Sequence, residues 1–93
     1  MDFTKIYQKG VSEFETGLKT GLDDESLASI FKKYFVEIFT HIKHSPNDQE
    51  RRRVYKAVQE YHESIANVTK KLRPELSHSF ELASLYWRLL ADG

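Results

Sequence analysis

Glu37, His41 and His44 are the residues in this chain whose types and spacing come nearest to a metal site. They are spaced i, i+4 and then i, i+3, so a helix would carry all three along one flank. Imidazole and carboxylate ligands in that pattern suit zinc or iron. Glu75 and His78 repeat the i, i+3 spacing that one half of a di-iron carboxylate site uses. Such a site needs a second copy of that spacing and two further glutamates, and the sequence has no second one. Histidines near helix ends also serve as caps and surface residues. The expectation is therefore no metal and no cofactor.

Other chemistry is equally thin. With 0 cysteines there is no thiol nucleophile, disulfide or thiolate ligand. No serine sits in a glycine-flanked elbow, and no glycine-rich phosphate loop is present. The carboxylates fall in capping positions or beside basic residues, so no pair is set up to hold two different pKa values. A non-enzymatic protein is expected.

The segment Arg51, Arg52, Arg53, Lys56 raises nucleic-acid binding, helped by Lys70, Lys71 and Arg73. Phosphate contacts need a clustered basic face. Here Glu50 precedes the run, and Glu60 and Glu63 follow it. Lys plus Arg and Asp plus Glu are 14 each, so there is no bulk attraction to polyanions. Nucleic-acid binding stands as the alternative reading.

Four helices must position these groups. The pattern predicts an all-α fold, a small antiparallel bundle of three to four helices in a single domain over residues 1–93. The first helix is expected from Asp2 to Thr20, with Phe3, Tyr7, Val11, Phe14 and Leu18 as its apolar stripe. Gly10 and Gly17 flank that stripe and are read mainly as weakening the helix. Gly21 marks its stop. The second helix starts at Asp23 or Asp24, with Leu22 and Leu27 placed as a staple across the cap. It is expected to run to His44, and Val36 lies outside its apolar face.

Ser45 and Pro46 read as the cap and first position of the third helix, with Asp48 completing a capping box. Val54, Val58, Tyr61, Ile65, Val68 and Leu72 then step by four and three, a narrow seam of coiled-coil type. Pro74 separates or kinks the chain before a fourth helix ending near Leu90.

That fourth helix holds the most apolar stretch, LASLYWRLL, interrupted only by Ser84 and Arg88. Leu82, Leu85 and Leu89 form one stripe. Phe80, Ala83, Trp87 and Leu90 form another. A helix apolar all round is either central in its own bundle or part of an interface. The wide apolar arc of the second helix favours the interface. The expected function is a protein–protein interaction module of the adaptor, inhibitor, immunity or chaperone kind, with a regulatory role and acting as a homodimer. Its partner-binding residues are expected to be Leu82, Leu85, Tyr86, Trp87, Leu89, Leu90 and Val36. No small-molecule substrate is evident. The opening MDFTKIYQKG lacks a basic-then-apolar leader and no run is long enough to span a membrane, which sets a cytoplasmic expectation and leaves the sequon at Asn67 unused.

Overall fold

A computed structural model describes residues 3–41 and 47–92. Four helices follow in order: α1 (Phe3–Lys19), α2 (Asp24–Thr40), α3 (Asp48–Leu72) and α4 (Pro74–Asp92). They form an all-α bundle of 41 × 21 × 19 Å.

The chain folds as two antiparallel hairpins. In the first, Gly17 of α1 lies against Leu22 and Leu27, and Gly10 lies against Tyr34 further along α2. Gly21 makes the turn between them with a φ of 79°, a backbone conformation glycine adopts without penalty. Asp23 caps α2, its side chain accepting the amide of Ser26 at 2.8 Å, and those bonds hold its carboxyl below the usual value. In the second hairpin, Lys70 meets Glu81, Gln59 meets Ser84 and Tyr55 meets Trp87, so the two helices run in opposite directions. Arg73 alone joins them, in an extended conformation (φ −150°, ψ 77°). Pro74 thus separates two helices rather than kinking one, sitting where its missing amide costs nothing.

Both hairpins turn at the same end of the bundle, and Arg73 pins them together. Its guanidinium donates to the Asp24 carboxylate at 2.9 Å and to the Leu22 carbonyl at 3.2 Å. Along the middle, the Tyr7 hydroxyl donates to Glu60 at 3.0 Å, tying α1 to α3.

The central helix is α3. Its buried positions are Val54, Ala57, Val58, Tyr61, His62, Ile65, Ala66 and Thr69. This is wider than the expected seam, because α3 packs against all three other helices and small residues complete its buried face. Leu72, placed on the seam by spacing, is exposed at the C-terminal end of the helix, beside the turn into α4.

Two boundaries differ from expectation. α2 ends at Thr40 with His41 as its C-cap. α3 is capped by Asn47, whose side chain accepts the amide of Glu50 at 2.8 Å, and not by Ser45. Asparagine is as good a cap as serine, and here it puts Glu50, not Asp48, at the third helical position. Ser45, Pro46 and His44 lie outside the described residues.

The glycines of α1 also differ from expectation. Both are buried. A Cβ on Gly10 would lie 2.8 Å from Cγ of Tyr34 and 2.8 Å from the hydroxyl of Tyr61. These glycines serve close helix approach, and at Gly10 the lost propensity is offset by packing that a larger residue would disturb.

Candidate functional site

Aromatic side chains fill the space between α2, α3 and α4. Phe31 stacks on Tyr61 with centroids 4.7 Å apart and meets Phe80 edge-on at 5.3 Å. Phe80 reaches across to Phe14 of α1. Trp87 packs on Phe35, Phe39, Tyr55 and His62, each with ring centroids about 6 Å away. Trp87 therefore holds α4 onto the bundle, which is a structural task and not the exposed contact its sequence context implied.

His62 is buried within this cluster, at 5% exposure. Its Nδ1 donates to the Val58 carbonyl at 2.8 Å, since a carbonyl can only accept. Burial lowers its pKa, with the Val58 bond opposing in part. A neutral imidazole walled by rings is a packing group here. Tyr61 and Tyr34 are likewise shifted by burial. The Tyr34 phenol is pushed up to about 12, first by desolvation and then by Glu13. Desolvation raises Tyr61 too, and its hydroxyl donates to the Phe31 carbonyl at 3.2 Å.

The fourth helix is apolar on two sides, with Leu76, Phe80 and Trp87 packed against the core. Its most buried residues are Ser77 and Ser84, each at 8% exposure. They face α3, where short side chains let the helices approach closely. Ser77 donates to the Pro74 carbonyl at 2.8 Å, and Ser84 contacts the side chain and carbonyl of Gln59 at 3.3 and 3.4 Å. On the opposite side, Leu82, Leu85, Tyr86 and Leu89 are exposed at 55%, 47%, 58% and 71%. Their i, i+3, i+4, i+7 spacing puts them in one continuous row. Leu90 extends that row at 38%. Of the expected partner-binding residues, these five share one face. Val36 is exposed on α2 beside Lys32, Lys33 and Thr40, also exposed, and forms a separate point.

The basic residues of α3 are divided. Arg51, Arg52, Arg53 and Lys56 are all exposed. Arg51 pairs with Asp48. Arg52, Arg53 and Lys56 line an open groove of about 660 Å³ between the start of α3 and the end of α4, where Arg88 joins them. Arg73 is engaged by Asp24 and Lys70 by Glu81. The contribution of Arg88 was hidden in the sequence because it lies on another helix.

Of the first histidine pattern, His44 lies outside the described residues. His41 lies beside the ring of Phe3, at 6.5 Å between centroids. Among the described residues, no group of three metal-ligating side chains comes together. Among the same residues, no helix is long and apolar enough to cross a membrane. No family model, curated protein or solved structure matches the chain.

Proposed function

We propose that the protein is a non-enzymatic interaction module whose working surface is the outward face of α4. The observation that carries this reading is a second apolar face on that helix: Leu76, Phe80 and Trp87 pack inward beside Ser77 and Ser84, while Leu82, Leu85, Tyr86 and Leu89 are turned out. Single exposed leucines are ordinary, but a continuous row of this size on a small domain marks a surface that another polypeptide covers. An amphipathic helix face of this spacing suits helix-on-helix recognition. Tyrosine beside leucines supplies the large rigid contact on which binding energy concentrates.

A photo-crosslinking residue at position 89 tests the reading, with one at Lys9 on the exposed outside of α1 as control. Adducts above the chain mass are expected from position 89 and not from position 9. Absence of adducts from both, or equal yields, would count against it.

A second reading is favoured by the groove that holds Arg52, Arg53, Lys56 and Arg88. Arg52, Arg53, Lys56 and Arg88 share that lining with Asp48, which Arg51 engages, and Asp92, so the basic side chains outnumber the acidic ones, which suits an anionic ligand such as a nucleic-acid backbone. Fluorescence anisotropy with labelled duplexes at low salt tests it. Binding that falls steeply with salt and is lost in Arg88→Ala is expected on this reading, and no binding at micromolar protein would remove it.

A further inference from the structure

We propose that the occupant of the α4 face is a second copy of this chain, its own α4 packed antiparallel against the first. The proposal rests on the reading of that face as an interaction surface. Three observations argue for a second copy, the third of them against an unrelated partner.

The first is area. The exposed parts of Leu82, Leu85, Tyr86, Leu89 and Leu90 amount to roughly 500 Å² per chain, so two copies bring together the ~1,000 Å² at which specific interfaces begin. The second is charge. The chain's formal net charge is +0, so two copies approach without mutual repulsion.

The third is the charge pattern along the row. Leu82, Leu85 and Leu89 step by three and four, the seam of a two-helix coil. Glu81 and Arg88 are seven residues apart and therefore lie on the same flank of that seam, toward the groove with α3. In an antiparallel pair, like flanks meet while running in opposite directions. Glu81 of each copy then faces the partner's Arg88, and one interface makes the pair twice, as a self-complementary two-fold contact requires. A parallel pair would set the same flank against Ser79 and Tyr86, with no charge match. Neighbouring α3 residues extend the pattern, with Glu63 on the Glu81 side and Lys56 and Arg52 on the Arg88 side. The contact of Glu81 to Lys70 within the chain is 3.5 Å and solvent-exposed, so it competes weakly.

Sedimentation equilibrium on the wild type, Glu81→Arg, Arg88→Glu, the double charge swap and Leu85→Asp tests the proposal. The wild type is expected to dimerise. Each single reversal is expected to weaken the dimer roughly tenfold, because two repulsive contacts replace two attractive ones. The double swap is expected to restore affinity to within about threefold of wild type. Leu85→Asp should be monomeric with its helicity retained. A wild-type monomer at every concentration would overturn the second copy, while crosslinks from position 89 to other proteins would still uphold the docking face. A dimer lost in Leu85→Asp but without rescue in the double swap would overturn the antiparallel arrangement. A dimer indifferent to Leu85→Asp would overturn both.

Discussion

Gly10 and Gly17 show how a single atom decides packing. At Gly10 an added methyl would strike the ring root of buried Tyr34 and the hydroxyl of Tyr61, neither of which can move aside. At Gly17 it would meet only the ends of Leu22, Leu27 and Ile30, which can rotate. Gly10→Ala should therefore lower stability by about 1–2 kcal/mol, as overpacking exceeds the gain in helix propensity. Gly17→Ala should be close to neutral, because the same gain offsets a softer clash. Urea melts of the two variants check the contrast. His62 gives a second residue-scale prediction. Its folded pKa is lowered by burial, so the unfolded chain binds the proton more readily. Its contribution is present above the ordinary histidine value and is lost as pH falls below about 6.5 toward the folded value. Thermal melts from pH 7.5 to 5 should show Tm falling with acidity, and His62→Phe should flatten that slope. A slope unchanged in the variant would assign the effect elsewhere.

At the scale of elements, the fourth helix separates two jobs. Trp87 packs onto Phe35, Phe39, Tyr55 and His62, whereas Leu85 points away from all of them. Trp87→Ala should cost about 2–3 kcal/mol, a half-buried fraction of the usual Trp→Ala penalty. Leu85→Asp should leave the melting temperature within a few degrees of wild type. Calorimetry of both variants distinguishes a docking leucine from a core tryptophan. The joint between hairpins makes a further element-scale prediction. Arg73→Ala removes the bonds to Asp24 and the Leu22 carbonyl and should cost about 1 kcal/mol, measurable by denaturant titration.

Much of this architecture was legible in the sequence. The period of apolar residues reveals α1, α2 and most of the α3 seam, and Asp23 and Pro74 mark helix starts by well-defined chemistry. The missed core positions share one physical cause. Ala57, His62, Ala66, Thr69, Ser77 and Ser84 are buried without being strongly apolar, so periodicity passes over them. They are small enough for close approach, or have partners in nearby backbone carbonyls, as His62 and Thr69 do. The apolar excess of α4 was visible, but not which of its two stripes faces inward. That depends on α3 offering Gln59 and a shallow surface for serines, and on α2 offering rings for Trp87. The cap at Asn47 was missed because Ser45 and Pro46 present a competing signal two residues earlier.

At the scale of the molecule, a chain of 93 residues has a thin core and spare apolar surface on one helix. Covering that surface with a second copy adds stability that depends on concentration. The proposed contact between two copies is mainly apolar with two charge pairs at its flank, so association should fall only slightly with salt, unlike nucleic-acid binding through the α3 groove.

The most direct measurement is the absolute mass in solution by light scattering, for the wild type and Leu89→Asp over the same dilution series. The account predicts twice the chain mass of 10.9 kDa for the wild type at high concentration and the single-chain mass for the variant. A single-chain mass for both at every concentration, or twice that mass for both, would contradict it.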